Sequence, residues 1–222
     1  MTDQIELHDH DSSPEALDKV IIRFAGDSGD GMLLAGTRFT DSSALFGNDL
    51  ATFPSYPAEI RAPQGTLFGV SSFQVQIADY DILTAGDEPD VLVAMNPAAL
   101  KSNLEDLRPN GTLIINTDAF DERNLEKAGY ETSPLEDDSL NSYKVHKIPM
   151  EKLTKDAVDG TGVTGRAVLR SKNMLALGVM AWLFNRPPET TIEWIENKFK
   201  NNPEVAAANI AAFKGGYNYG FS

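Results

Sequence analysis

Residues 20–47 place a short apolar run, VIIRFA, directly before a glycine-rich turn, GDSGDG, and a helix-like stretch, MLLAGTRFTDSSALFG. No other feature constrains the fold as tightly. Six apolar-rich residues ended by a tight turn read as a buried strand. In the stretch that follows, Met32, Ala35, Phe39 and Phe46 recur near one helical face, and Gly47 stands where a helix would end. A strand that turns straight into a helix is a βα unit, and it predicts an α/β domain.

The rest of the chain agrees with that opening. SFQVQI at 72–77 alternates polar and apolar, which predicts a half-buried strand with Phe73, Val75 and Ile77 on one face. DVLVAM at 90–95 is continuously apolar, as a central strand covered on both faces should be. Asn96 and Pro97 suit the N-cap and first turn of a helix in PAALKSNL. TLIIN at 112–116 and YKVHKI at 143–148 add two strands, in the second of which His146 is a strand position without chemistry. The last third reads as helical: SKNMLALGVMAWLFN ends before Pro187–Pro188, TTIEWIENKFK starts at a threonine cap, and EVAAANIAAFKGG stops at paired glycines. The expected architecture is a three-layer, Rossmann-like sheet sandwiched by helices, with a helical C-terminal third.

At 222 residues the chain suits one large domain. Residues 1–18 hold six acids and no Lys or Arg, so they read as a flexible acidic tail ahead of a single domain over 19–222. His8 and His10 beside Asp9 and Asp11 are too solvated to count as a metal site. The chain has no cysteine, so it supplies no thiolate to an iron–sulfur cluster, a zinc site or a nucleophilic mechanism. Without disulfides, signal peptide or bilayer-length apolar stretch, the expected location is cytoplasmic. A formal net charge of −14 argues against nucleic acid and anionic membrane as partners. That charge is uneven: residues 1–143 carry 26 acids and 8 bases, residues 144–222 carry 7 acids and 11 bases. Such a front is either a solubilising face or a docking surface for a basic partner.

Two loops are candidates for ligand contact. The first is the turn Gly26, Asp27, Ser28, Gly29, Asp30, Gly31, where glycines permit close approach and a helix N-terminus offers unpaired N–H groups to an anion. Its spacing is GxxGxG, neither the dinucleotide fingerprint nor a P-loop, and Asp27 and Asp30 carry the wrong sign for a phosphate. A tight structural turn is therefore an equal alternative. The string GDSG is not a protease nucleophile loop, because only the acidic tail precedes it and a helix follows. Nor do Asp27 and Asp30 have the further oxygen ligands of a calcium loop. The second candidate is FPSYPAEIRAPQG at 53–65, stiffened by three prolines and bearing Glu59 and Arg61. Its guanidinium suits a carboxylate or phosphate, and its alternative is a surface loop with local ion pairs. Arg166, Arg170 and Lys172 are a reserve of positive charge near the start of the long helix.

Taken together, IRFAGDSGDGM, FPSYPAEIRAP, GVSSFQVQIAD, DVLVAMNPAAL, GTLIINTD, TSPLED, RSKNMLALG and AAANIAAFKGGYNYG resemble the γ domain of 2-oxoacid:ferredoxin oxidoreductases. The likeness is strongest to the γ region of the 2-oxoglutarate enzyme's α subunit. Many members carry glycine where this chain has Ser28. The resemblance implies oxidative decarboxylation of a 2-oxoacid with thiamine diphosphate, electrons passed through an iron–sulfur cluster to ferredoxin, and release of an acyl-CoA. It places thiamine diphosphate and the cluster in the α and β catalytic portions. This chain then holds no catalytic residue and no metal, and contacts coenzyme A at Gly26–Gly31 with Glu59 and Arg61. Relatives specific for pyruvate, a branched-chain 2-oxoacid or indolepyruvate, and a non-catalytic nucleotide-binding or scaffold domain, are the alternative readings.

Overall fold

The computed structural model describes residues 5–9, 12–27, 31–45, 49–55, 69–84 and 86–221, with side chains described from residue 18 onward. Ahead of the main body, β1 (Ile5–Asp9) pairs antiparallel with β2 (Ser12–Leu17). The segment read as an acidic tail thus carries a hairpin: two polar stretches too poor in apolar residues for a core satisfy their backbone groups on each other. His10 lies outside the described residues.

The main sheet is built from β3 (Lys19–Asp27), β4 (Asp49–Ser55), β5 (Val70–Ala78), β6 (Val91–Ala94), β7 (Thr112–Asn116) and β8 (Lys144–Ile148). Their spatial order is β4-β5-β3-β6-β7-β8. Strands β3, β6, β7 and β8 run parallel, while β5 runs antiparallel to both β3 and β4. The chain therefore builds outward from β3 in both directions. Pro54 sits in β4, an edge strand, where a missing N–H is tolerated.

Among the described residues seven α-helices accompany the sheet: α1 (Met32–Ala44), α2 (Pro97–Asn103), α3 (Glu122–Lys127), α4 (Met150–Val158), α5 (Lys172–Leu183), α6 (Glu189–Lys198) and α7 (Pro203–Tyr219). One sheet face carries Ile22, Phe24, Val75 and Val93, packed with Phe39 of α1, Leu175 of α5 and Phe213 of α7. The other carries Ala25, Leu92, Leu113 and Ile115 beneath Ala99 and Leu100 of α2. This is the expected three-layer arrangement. Phe24 meets Phe39 at 6.1 Å between ring centroids, and Phe39 meets Phe184 at 5.7 Å edge-on. Each such fully buried ring contributes roughly 1.5–3 kcal/mol by leaving water.

Three elements depart from the expected pattern. Strand β5 is not half-buried, for Gln74 and Gln76 are as inaccessible as their apolar neighbours. Their face is a polar layer in which Arg23 Nε donates to Gln74 Oε1 at 2.9 Å, Gln74 Nε2 donates to Gly86 O at 2.7 Å, and Arg23 also pairs with Asp106. Helix α6 begins at Glu189, with Pro188 in the cap position, so no threonine caps it. Helix α7 does not stop at Gly215–Gly216 but runs on to Tyr219. Those glycines serve packing: a Cβ on Gly216 would run into the Leu175 carbonyl oxygen, and one on Gly178 into that of Phe213. The long helices α5 and α7 cross at backbone-to-backbone range, and only glycine fits there.

Candidate ligand site at the strand ends

The carboxyl ends of β3, β6 and β7 meet at one edge of the sheet. This is the topological switch point, where the chain leaves β3 for either side and helices depart to opposite faces, a place where open α/β sheets form ligand crevices. Gly26 is buried at the end of β3, and Asp27 follows it, exposed. The turn closes at Gly31, whose φ of 71° is left-handed and suits glycine. From Gly31 the chain enters α1, which has neither a side-chain cap nor an acidic residue in its first turn. Its leading N–H groups and the positive end of its dipole are thus uncompensated by the helix itself.

Three asparagines hold this edge together, and motif reasoning singled out only one, as a helix cap. Asn96 caps α2, accepting from Ala99 N at 2.8 Å, while its Nδ2 donates to Asp27 Oδ1 at 2.8 Å. The Asp27 carboxylate is thereby tied to the neighbouring strand end. Asn116, fully buried, donates from Nδ2 to Met95 O at 3.1 Å and accepts from Met150 N at 3.2 Å. It locks the ends of β6 and β7 to the start of α4. Asn173 of α5 reaches Gly31, its Nδ2 lying 3.4 Å from Gly31 O. A Cβ at position 31 would sit 2.5 Å from that same nitrogen, so contact as well as φ demands glycine there. In sequence Asn116 and Asn173 show only as polar residues at the edges of apolar runs.

Of the residues expected to contact a ligand, the structure describes Gly26, Asp27 and Gly31 and brings them to the head of α1. Ser28, Gly29, Asp30, Glu59 and Arg61 lie outside the described residues, as do Phe46 and Gly47. Among the reserve cations, Arg166 and Arg170 are exposed, and Lys172 lies 3.6 Å from Glu151 Oε1. No cluster of three or more potential metal ligands occurs among the described residues. No helix among them is long and apolar enough to cross a membrane.

Comparison with known proteins points one way. Residues 21–219 match the family model described as pyruvate ferredoxin/flavodoxin oxidoreductase. The 2-oxoglutarate oxidoreductase subunit KorA of Mycobacterium tuberculosis is 59% identical over 206 residues, covering 93% of this chain. The chain spans 32% of that relative's length. A 2-oxoglutarate synthase subunit KorC of Methanothermobacter marburgensis is 28% identical, with 88% of this chain and 93% of that one aligned. Among solved structures, the 2-oxoglutarate:ferredoxin oxidoreductase of Magnetococcus marinus, with 2-oxoglutarate, coenzyme A and succinyl-CoA bound, superposes with a TM-score of 0.71 at 28% identity. That match covers 92% of this chain and 31% of the other. A Thermotoga maritima pyruvate oxidoreductase subunit shares the fold over 91% of this chain and 97% of its own, with a TM-score of 0.60 at 22% identity. With nearly its whole length matched and its sheet shared with these subunits, the chain belongs to the pyruvate ferredoxin/flavodoxin oxidoreductase family.

Proposed function

We propose that this chain is the γ-type part of a 2-oxoglutarate:ferredoxin oxidoreductase, in which it supports CoA-dependent oxidative decarboxylation without a complete active site of its own. Its partners in this reading are the α and β catalytic portions and, through them, ferredoxin. Thiamine diphosphate and the iron–sulfur cluster belong to those portions, since a chain without cysteine offers a cluster no thiolate. The assembled enzyme works in the cytoplasm.

Within it, the turn Gly26–Gly31, with Glu59 and Arg61 of the proline-rich loop, contacts the phosphate-bearing part of coenzyme A. The observation that carries this is the head of α1: a helix start with no side-chain cap, opening on a left-handed glycine at the sheet's switch point. The Asn96 hydrogen bond to Asp27 draws that carboxylate toward β6 and weakens the objection of like charge. A pure architectural turn is the competing account.

Gly29→Val in the assembled enzyme is expected to raise the KM for CoA while 2-oxoglutarate decarboxylation measured without CoA stays nearly unchanged. Arg61→Ala should act in the same direction, by about tenfold if one charge-assisted hydrogen bond of about 1.5 kcal/mol is lost. An unchanged CoA dependence in both variants, with assembly confirmed by gel filtration, leaves the loop as architecture only.

A further inference from the structure

Between the start of α1, the 3-10 segment Gly165–Ser171, α5 and α7 lies a cavity of about 270 Å³. Its walls are mostly apolar, with Leu34, Val163, Met174, Phe199 and Ala208 among them. That volume is close to the lower end of the roughly 300–1,000 Å³ usual for small-molecule sites. It shares Asn173 with the head of α1, where that side chain meets Gly31.

The polar groups in this apolar wall are what set it apart. Ser171, Asn173 and Asn209 line the cavity and are only 4%, 6% and 5% exposed. The Ser171 hydroxyl makes no cap bond to α5. Asn173 Oδ1 has no hydrogen-bond partner. Asn209 of α7 lines the same cavity. A buried amide oxygen left without a partner is costly, and folded proteins pair nearly all of theirs. An interior helix position facing only its own packing would be better filled by leucine. The charged group at the lining is the exposed Arg170, so the interior suits a neutral ligand.

We propose that this cavity binds a neutral planar group that presents a hydrogen-bond donor beside an acceptor on an apolar body, read by the side-chain amide of Asn209. An asparagine amide offers the matching acceptor and donor side by side, as it does when it pairs with the edge of a purine. Met174 and Phe199 supply adaptable and flat apolar surface for the body of the ligand. Coenzyme A carries this chemistry in its adenine base, whereas the trans amides of its pantetheine arm point donor and acceptor in opposite directions. Taking coenzyme A as the carrier rests on the function proposed above. The binding chemistry of the cavity does not.

Calorimetric titration of the full chain with adenosine and, separately, with pantetheine tests this, since both probes are neutral and neither supplies a phosphate to the glycine turn. Adenosine is expected to bind and pantetheine is not, and Asn209→Leu is expected to weaken adenosine at least tenfold. Val205→Trp, at an exposed rim position, should block the same probe without disturbing the core. Failure of adenosine to bind, as expected of a water-filled void only, overturns the proposal, and so does equal binding of pantetheine or wild-type affinity in both variants. Coenzyme A titrated in parallel separates the two readings. If Gly29→Val weakens it and Asn209→Leu does not, the cavity inference falls and the loop reading stands. If a neutral probe depends on Asn209 while Gly29→Val and Arg61→Ala leave coenzyme A binding unaltered, the cavity stands and the loop reading falls.

Discussion

Gly178 and Gly216 show how much of this fold rests on single missing side chains. Each faces a carbonyl oxygen of the other helix, Phe213 O for Gly178 and Leu175 O for Gly216. Adding one methyl group at either site forces α5 and α7 apart along the core's longest helix contact. Gly178→Ala and Gly216→Ala are each expected to cost about 1–3 kcal/mol, as overpacking does. For a domain of this size that lowers the melting temperature by about 2–4 °C per kcal/mol, whereas Gly160→Ala, with open space around it and φ of 77°, should cost only its backbone strain. Tyr130 supplies a pH signature. Burial first, then the charge of Asp137, pushes its hydroxyl up to about 12. The folded state therefore keeps a proton that the unfolded chain releases near pH 10. The stabilisation is complete below about pH 10 and is lost as pH rises from there through about 12. Absorbance titration of the tyrosines should find one ionising near 12, and Tyr130→Phe should flatten the decline of stability in that window.

At the scale of elements, the strands were the most legible part, because continuous apolar runs such as DVLVAM admit few other fates. The βα opening was equally plain, since Met32, Ala35 and Phe39 all turn inward as their spacing predicts. The direction of β5 was not legible: alternation tells which residues share a face, not whether a strand runs up or down, and that was set by its pairing with β3 from Lys19–Ala78 to Asp27–Val70. Nor did alternation reveal that Gln74 and Gln76 would be buried, because the covering partners, Arg23, Gly86 and α2, are remote in sequence. Paired glycines at 215–216 looked like a helix stop since glycine carries two meanings, a cap and a close approach, and only the neighbouring helix decides between them. The glycine turn stood out as a candidate from its place between strand and helix. The asparagines that brace it were not, as their roles exist only once β6, β7 and α5 come together. Asn116→Leu should therefore destabilise the strand-end edge by roughly 1–3 kcal/mol, by stranding Met95 O and Met150 N, with the loss read in chemical denaturation.

The whole molecule has a well-filled core and a large acidic excess but offers no complete catalytic constellation among the described residues. Of its 33 acids, 26 lie in the first 143 residues, while the last 79 residues carry a slight basic excess. Such polarity suits a part that docks into a larger assembly, where complementary charge speeds encounter and sets orientation. The chain matches about a third of its Mycobacterium tuberculosis and Magnetococcus marinus relatives and nearly all of a Methanothermobacter marburgensis subunit, so the same fold occurs within long chains and in short ones. The most direct measurement is dye reduction driven by 2-oxoglutarate and coenzyme A, with the chain alone, the α and β catalytic portions alone, and the three together. The account predicts no turnover by the isolated chain and a CoA-dependent rate that appears in full only when it is present. Turnover by the chain alone, or full CoA-dependent activity of the catalytic portions without it, would contradict the account.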